Sequence, residues 1–410
     1  MTPSVSKLEF RLSGQDVGNA EFGSGMRLFF DRISSSMTNL RSLSITLTAI
    51  NKISPRFILL LSRTLDHLKR LEHVILPPRA IVGQVITSIA CHTHLIDILP
   101  AYRGLFWESH STSYSSMFSP QLSQSCFPAL ETLSFCSTPR SAKAFLENPY
   151  FPASRILRIH VQVLAQRQRH SEVEPVGYLL KAICDNCTSI MDVSISKTSS
   201  SNEEIVALSF ATMRALINCG SLTTLTIQLR GCLLWTAVDF DEFAASLPSA
   251  TTLMLNEAPL PPLQPATIME DALSPFSRHC SQLRKLGIFF NAREQPIVAV
   301  SSPIAAFRFK SLVALHVGTS PISNTSQNIV YIAAFLLAIL PDACKIVVGG
   351  KGSEGHPPPE SDADTDTDSD GESSDVFSDT PLQHIPAWQK VQELRMLCQM
   401  EPRLLRRISS

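Results

Sequence analysis

The sequence predicts an α/β fold, an irregular solenoid of about 12 repeats with parallel strands on the concave side and helices outside. The main observation is a repeated phrase, C-x-x-L-x-x-L-x-L, in which L is any large aliphatic residue. Looser copies recur at intervals that average about 31 residues, and helix-like patterns fill these intervals. The clearest copies begin at Cys187, Cys219 and Cys280.

Each copy of the phrase has the pattern of a chain that enters a β-strand. Its last two aliphatic residues lie two positions apart, so their side chains point to the same side of an extended strand. Its cysteine, a small residue that is easily buried, would close the preceding helix. One such unit cannot bury its apolar side alone, whereas a stack of units can. The first aliphatic residue of each copy falls at Val5, Leu40, Leu68, Leu95, Leu130, Ile156, Ile190, Leu222, Ala250, Leu283, Leu312 and Ala343.

The phrase predicts strands that pair in parallel in chain order, near 43–45, 133–135, 159–161, 193–195, 225–227, 253–255, 286–288, 315–317 and 346–348. The segments between strands are predicted as helices, of which 203–219 has the clearest apolar stripe and is capped by Asn202. The other predicted helices cover 26–37, 57–68, 81–91, 141–147, 176–187, 239–247 and 326–340.

Two copies of the phrase are imperfect, and one long stretch interrupts the repeat. The copy at Leu68 has His73 at its final aliphatic position, and the copy at Leu95 has Pro100 there. Residues 101–127 contain aromatic residues and a run rich in serine. We interpret this stretch either as a long functional loop on one face or as a disordered insertion.

A change in composition divides the chain into three regions. The predicted solenoid covers 1–350, a disordered acidic linker covers 351–380, and a C-terminal helix within 381–410 could cap the last repeat. Between positions 360 and 379 there are nine acidic residues and no basic one, a composition that cannot bury enough apolar surface to fold. The predicted last helix, 388–401, carries Val391, Leu394, Leu397 and Cys398 on one face.

Four hydroxyl residues in the acidic linker are candidate phosphorylation sites. Each has an acidic residue three positions later, the arrangement that an acidophilic kinase recognises. Each phosphate would add about −1.5 to −2 charges to a segment that is already acidic. The alternative is a solubilising spacer that is never modified. The candidate sites are Ser361, Thr365, Thr367 and Ser369.

Charge and cysteine content limit the classes of partner and the compartment. The formal net charge of −1 predicts no general attraction to nucleic acid or to an acidic membrane. The longest apolar run, 329–340, has 12 residues. A bilayer requires roughly 20. The ten cysteines, three of them at matching repeat positions, indicate buried thiols in a reducing cytosol or nucleus rather than a disulfide framework.

No residue pattern in the sequence indicates catalysis. Cys184 and Cys187 have the spacing of half a zinc site, without a second pair at a suitable distance. His92 and His94 could chelate a metal, but they lie at the end of a predicted helix with no carboxylate placed to complete the site. The sequence contains no phosphate-binding, dinucleotide-binding or nucleophile-elbow motif. We therefore predict no catalytic, cofactor-binding or metal residues, no cofactor and no enzyme activity.

The phrase and its cysteines resemble the cysteine-containing class of leucine-rich repeats found in F-box proteins, over roughly residues 1–350. The segment 127–135 resembles a phrase common in the F-box/repeat proteins of mushroom-forming fungi. In those proteins a tail similar to 388–394 often closes the chain. The resemblance implies the substrate-recognition subunit of a cullin-type ubiquitin ligase, in which the F-box holds the adaptor.

The chain departs from this family at two points. No F-box is visible before the first repeat, so the adaptor is expected as a partner only if an F-box lies upstream. The asparagine that usually ends the repeat strand, and hydrogen-bonds along the stack, is found only as Asn291. Serine or threonine can partly replace it, whereas alanine cannot. The matching positions hold Thr48, Thr138, Thr198, Arg230, Ala258 and Ser320.

The predicted function is therefore a non-catalytic protein-interaction scaffold whose concave face binds an unknown protein partner. Two alternatives stay open: a truncated structural paralogue with no role in a ligase, and a hydrolase on a repeat scaffold. A cullin adaptor among the bound proteins would favour the receptor, and the lack of any stoichiometric partner would favour the paralogue.

Overall fold

The computed structural model describes residues 5–13, 22–48, 53–101, 118–164, 173–197, 208–229, 231–257, 259, 265, 267–293, 308–349 and 384–401. The acidic linker predicted at 351–380 lies outside these residues, so its predicted state and its boundaries stay predictions. The same holds for the four candidate phosphorylation sites, Ser361, Thr365, Thr367 and Ser369.

Twelve strands of the described chain form one parallel sheet, and their order in the sheet follows the sequence. They are β1 (Lys7–Ser13), β2 (Ser42–Thr48), β3 (His73–Leu76), β4 (Asp97–Pro100), β5 (Thr132–Ser137), β6 (Arg158–Val163), β7 (Asp192–Lys197), β9 (Thr224–Gln228), β11 (Thr252–Leu255), β12 (Lys285–Ile288), β13 (Ala314–Gly318) and β14 (Lys345–Val348). Two shorter strands, β8 (Leu208–Ser209) and β10 (Leu233–Leu234), pair with each other.

The strands predicted from the phrase are confirmed: all nine are present and lie parallel in chain order. Their aliphatic pairs are in register, so that Val193 of β7 lies opposite Leu225 of β9, which lies opposite Leu253 of β11. These side chains are fully buried in one core with helix residues such as Phe243. Burial of such rows stabilises the fold by roughly 25 cal/mol per Å² of apolar surface.

In the third copy of the phrase, the first aliphatic residue is Leu71. The prediction of Leu68 for this position is wrong. Val74 lies opposite Leu43 in the sheet, and both side chains are buried. His73, one residue before Val74, points to the other side of the sheet, because a shift of one residue exchanges the two faces of a strand. Leu68 is also buried, and it fills the cysteine position of this copy.

Two other irregular copies have different outcomes. The copy at Leu95 is in register, with Ile98 opposite the matching residue of β3. In the last copy, the predicted Ala343 is exposed, and Cys344 takes the buried position before the strand. The Cys344 N–H donates to the Pro341 carbonyl at 3.0 Å, so this turn begins one residue later than the phrase predicts.

Ten α-helices of the described chain are interspersed with these strands, and several consecutive helices pack side by side. Some of them have side-chain caps: Ser54 accepts from the Phe57 N–H, and Thr236 forms a capping box with Asp239. The helices are α1 (Phe22–Ser36), α2 (Pro55–His67), α3 (Gly83–Ile89), α4 (Pro139–Leu146), α5 (Val173–Asn186), α6 (Phe210–Met213), α7 (Ala237–Ser246), α8 (Met269–His279), α9 (Ser326–Ile339) and α10 (Ile385–Met400).

The helix predicted over 203–219 is present only in part, and its residues 203–207, with the predicted cap Asn202, lie outside the described residues. Leu208 and Ser209 form β8, which pairs with β10, and the Leu208 N–H donates to the Cys232 carbonyl at 2.9 Å. The chain then forms only the four-residue α6, followed by a 3-10 helix at Arg214–Asn218. Pairing with β10 holds Leu208 and Ser209 in an extended conformation and overrides the helical pattern at these two residues.

The helix predicted at 388–401 is confirmed as α10, which packs against α9 and β14. Its Trp388 is fully buried. The indole ring lies edge-on to Phe290 at 6.0 Å, and its Nε1 donates to the Ser320 carbonyl at 2.9 Å. These contacts join α10 to the turns that follow two different strands.

The predicted apolar face of this last helix is wrong at one position. Leu397 is 51% exposed, whereas Arg395 is buried. The Arg395 guanidinium donates to the Cys344 carbonyl at 2.6 Å and also to the Pro341 carbonyl. A buried charge is tolerated here because these oxygens serve as acceptors for it. The apolar pattern of the sequence favours burial of Leu397 over burial of Arg395. The pattern does not show that the helix packs against a polar turn.

One pair of cysteines is bonded, which corrects the prediction of thiols for Cys184 and Cys219. Cys184, near the end of α5, forms a disulfide with Cys219, which follows the 3-10 helix, and their Cα atoms are 5.9 Å apart. The two segments pack side by side, which brings the cysteines together. The other described cysteines are free, and all of them except Cys91 are buried.

Candidate binding surface on the open face of the sheet

The central strands of the sheet have one buried side and one accessible side. In β6, Ile159 and Val161 are buried, whereas Arg158 is exposed and His160 is half-buried. The same alternation continues in β7 and β9. We call the accessible side the open face and its part on these three strands the polar strip. The polar strip consists of Arg158, His160, Gln162, Asp192, Ser194, Ser196, Thr224, Thr226 and Gln228.

The parallel register arranges the polar strip in rows that cross the strands. Arg158 lies opposite Asp192, which lies opposite Thr224, and in the next row Ser194 lies opposite Thr226. Neighbouring strands are about 4.8 Å apart, so each row spaces its polar groups regularly. Hydroxyl and amide groups both donate and accept hydrogen bonds. Such rows can bind the polar groups of an extended peptide or of a loop.

The polar strip ends at β5, where the side chains on the open face are buried. Thr132 and Ser134 are each 2% exposed, and Cys136 is also buried. The Cys136 thiol donates to Gln162 Oε1 at 2.9 Å. Burial raises the pKa of this thiol to about 12, so it remains protonated and cannot act as a nucleophile at neutral pH.

On its other side, the polar strip is bordered by a packed group of Met254, Glu257, Gly287 and His316. Glu257 and His316 are both largely buried, with Oε2 and Nδ1 3.5 Å apart. A Cβ at Gly287 would lie 2.5 Å from Glu257 Oε2 and 2.5 Å from Met254 Cε. Glycine at this position therefore lets both side chains lie directly on the sheet. Any larger residue would displace this border.

A second polar pair lies on the open face nearer the N-terminus. His73 of β3 lies opposite Asp97 of β4, with Nδ1 and Oδ2 2.7 Å apart. Both side chains keep some exposure to solvent, and pairs of this kind contribute little to stability. The histidine that the phrase places at an aliphatic position is thus a surface residue available for recognition.

The predicted asparagine, Asn291, bonds to the preceding turn through its main chain, since its N–H donates to the Thr267 carbonyl at 2.8 Å. Its side-chain Oδ1 accepts from the Arg293 N–H of its own turn at 2.9 Å. Asn256, directly after β11, reaches the preceding turn with its side chain. Its Oδ1 accepts from the Leu229 N–H at 3.1 Å, and its Nδ2 donates to the Gly231 carbonyl. Asn256 has φ 53°, a left-handed conformation that asparagine tolerates better than most residues.

The serine and threonine substitutes for the asparagine act in two ways. Ser320 Oγ accepts from the Phe290 N–H at 3.1 Å, so it does link neighbouring turns. Thr138 caps α4 instead, accepting from the Ser141 N–H at 3.2 Å. The role of Asn256 could have been predicted from the sequence, because it is a short polar residue directly after a strand. Thr198, Arg230 and Ala258 lie outside the described residues.

The cysteine and histidine pairs singled out by the sequence do not form metal sites. Cys184 is bonded to Cys219, and burial raises the pKa of Cys187 to about 12. His92 is fully buried and hydrogen-bonded to a backbone carbonyl, whereas His94 is exposed. Among the residues that the structure describes, no group of three or more His, Cys, Asp or Glu side chains could hold a metal ion.

A groove of about 740 Å³ lies on the helix side, between α5, α6 and α7. Its walls carry two ion pairs, Lys181–Asp185 at 2.7 Å and Arg214–Glu242 at 3.6 Å. Both charges of each pair already have a partner, so the walls offer no unbalanced charge for a ligand.

Comparison with known proteins assigns no family to the chain. No family model matches the sequence, and no curated protein is significantly similar to it. Within the described ranges, no helix combines the length and the apolar character needed to cross a membrane. The open face and its polar strip are the features from which a function can be inferred.

Proposed function

We propose that this chain is a non-catalytic protein-interaction scaffold, a leucine-rich-repeat-like solenoid whose open face binds a protein partner. The observation that carries this proposal is the polar strip, in which accessible polar side chains alternate with fully buried aliphatic ones on three adjacent strands. The buried rows hold the backbone, so the polar groups are positioned before binding. Preorganised groups lose less conformational freedom when a partner binds.

The shape and chemistry of the strip favour a protein over other ligands. Ser194 and Thr226 at its centre are small and polar, whereas small-molecule sites are mostly apolar. Arg158 lies opposite Asp192, so the strip carries no excess of positive charge for nucleic acid. Rows of donors and acceptors match the polar composition of protein interfaces.

The resemblance to F-box proteins supports a narrower form of the proposal. In that form the chain is the substrate-recognition part of a cullin ubiquitin ligase in the cytosol or nucleus, and it binds the adaptor through an F-box encoded upstream. The strand order, which follows the sequence in register with the phrase, supports the repeat architecture that this role requires. A truncated paralogue without a ligase role would share the fold but would retain no adaptor.

The test uses affinity purification of the full chain from its source cells with matched charge variants. Thr226→Arg and Arg158→Glu alter the polar strip, whereas Arg63→Glu makes the same charge change on the exposed side of α2. We expect a stoichiometric partner with the wild type and with Arg63→Glu. The strip variants should lose at least about tenfold in affinity, equivalent to 1.4 kcal/mol. Equal recovery by all variants would contradict the proposal.

The same eluates test the narrower form. A cullin adaptor bound through a separate F-box should be retained by the strip variants, because they leave that contact unchanged. If the wild type expressed with its full upstream coding sequence retains no adaptor, the ligase role is wrong. The scaffold proposal is judged separately, by whether a partner is lost in the strip variants.

A further inference from the structure

The outer edge of β1 is an accessible strand edge. Within the described residues, β1 pairs with β2 and lies at the end of the sheet. The pairing begins where the Ser6 carbonyl accepts from the Ser42 N–H at 3.0 Å. Backbone groups of successive residues point to opposite sides of a strand, so those of Lys7, Glu9 and Arg11 point away from β2. An edge of this kind is a template for pairing with another strand.

The side chains around this edge leave apolar surface accessible. Leu8 and Phe10 of β1 are only partly buried. On the neighbouring α1, Leu28 is 71% exposed and Phe29 is 39% exposed. The rings of Phe10 and Phe29 contact edge to face, with centroids 5.0 Å apart, so strand and helix form one apolar surface. A contiguous surface of this kind at the end of a sheet indicates an interaction site.

The charges on the edge decide which partner fits it. Glu9 and Arg11 are both exposed, and they flank Phe10 symmetrically. Consider a second copy of β1 placed antiparallel, with Phe10 opposite Phe10. Each Glu9 then lies opposite an Arg11, and each Leu8 lies opposite a Leu12. Opposite charges and apolar residues that face each other across strands are favourable.

The backbone fits the same register. In this arrangement the outward N–H and C=O groups of Glu9 point at those of Arg11 in the second copy, as a hydrogen-bonded antiparallel pair requires. The neighbouring register, with Glu9 opposite Glu9, would instead place Lys7 opposite Arg11 and bring like charges together. The charges of this edge thus favour the register about Phe10 over the register about Glu9.

We propose that β1 is a self-association edge whose occupant is a second copy of this chain, paired antiparallel about Phe10. The two-fold axis stands perpendicular to the sheet, so the contact is the same patch on both copies. Both cores then lie on one side, where the Phe10–Phe29 surfaces of the two copies face each other. The open faces of both copies remain available, so the proposal does not depend on the identity of the scaffold's partner.

The test is the mass of the full chain in solution, measured by light scattering across micromolar concentrations. We expect the wild type to be a dimer. Glu9→Arg or Arg11→Glu alone creates like-charge pairs, and each should raise the dimer dissociation constant at least about tenfold. Both residues are exposed, so the fold should be retained, which circular dichroism checks. The double variant Glu9→Arg/Arg11→Glu exchanges the charges and should restore the dimer.

Mixing the two single variants gives the sharpest result. Each alone should be monomeric, whereas the mixture should form heterodimers, because the two positive charges of the Glu9→Arg chain then lie opposite the two negative charges of the Arg11→Glu chain. Arg63→Glu on α2 is the matched control and should leave the dimer unchanged. A monomeric wild type, a dimer insensitive to the single substitutions, or single variants that fail to associate on mixing would each overturn the proposal.

Discussion

At the C-terminal end of the sheet, α10 packs against β14 and places the buried side chains of Trp388 and Arg395 over the end of the fold. At the N-terminal end, Leu8, Phe10 and Leu12 of β1 are only partly buried. Both ends are built from the same phrase, but within the described residues only the C-terminal one is covered by a helix that fills the space beside the last strand.

A stack of strand units leaves an apolar face and a strand edge at each end, and both must be covered. The C-terminal end is covered by residues of the same chain, so its stability does not depend on concentration. By our proposal, the N-terminal end is covered by a second copy, so its stability rises with protein concentration. The C-terminal contact is therefore intramolecular and always formed, whereas the proposed N-terminal contact forms only when a second copy binds.

The largest expected effect is at the C-terminal end. Trp388→Ala should lower the free energy of unfolding by about 3–5 kcal/mol, because the side chain is fully buried and its removal leaves a large cavity. Urea unfolding measures the loss, and hydrogen exchange should show that the amides of α10 lose protection. Phe10→Ala is the control at the opposite end. In dilute protein, Phe10→Ala should lower the free energy of unfolding clearly less than Trp388→Ala does. Equal decreases would contradict the assignment of one covered and one open end.

The second prediction compares the middle of the sheet with its edge at the same position of the phrase. Leu225 of β9 is fully buried between two strands, so Leu225→Ala should cost about 2–5 kcal/mol. Leu8→Ala at the edge should cost less, because Leu8 is only partly buried. Thr224→Ala, on the open face beside Leu225, should change the free energy of unfolding little. A urea titration in which Thr224→Ala and Leu225→Ala behave alike would show that the strand register is wrong.

The sheet could be predicted from the sequence because the phrase contains its own register. Two aliphatic residues at a spacing of two must both face the core, and this condition fixes nine strands without any knowledge of their neighbours. At β3 the prediction used the wrong start, although Leu71, Val74 and Leu76 match the phrase better than Leu68, Leu71 and His73 do. Pairing with β2 confirms the register that begins at Leu71.

The features that the sequence did not predict join residues that are distant along the chain. The disulfide between Cys184 and Cys219 depends on how α5 packs beside the 3-10 helix. At 208–209 the predicted helical pattern is overridden by pairing between β8 and β10. The polar strip, by contrast, follows from the alternation of each strand once the register is known. Sequence therefore predicts the candidate surface better than the contacts at its borders.

The third prediction concerns the polar contact at the covered end. Arg395→Met should lower the free energy of unfolding by about 1–3 kcal/mol, because buried carbonyl oxygens of Cys344 and Pro341 lose their donor. Arg395→Lys should recover only part of this loss, since an ammonium lacks the planar fork of a guanidinium. Arg63→Met on the exposed side of α2 is the matched control. If Arg395→Met is as stable as the wild type in urea, the arginine does not hold α10 in place.

The smallest expected effect is a difference in acid sensitivity between the two halves of the sheet. The buried cysteine position of the phrase is occupied by His92 in the N-terminal half and by Cys280 in the C-terminal half. Burial lowers the pKa of His92, nearby Lys69 lowers it further, and the Leu65 carbonyl that its Nε2 contacts at 2.9 Å opposes this only in part. Burial raises the pKa of Cys280 to about 12, so that thiol gains no proton in acid.

The sign of the effect follows from linkage. The folded state binds a proton at His92 less readily than the unfolded state does, so stability is fully present above about pH 6.5 and falls as the pH is lowered through that value. His92→Cys places the residue of the other copies at this position and should flatten the dependence of the free energy of unfolding on pH between 7.5 and 5. His94→Gln, a change at the exposed neighbour, should leave the slope as in the wild type. Urea titrations at several pH values in this range measure both slopes, and a slope unchanged in His92→Cys would assign the acid sensitivity to another group.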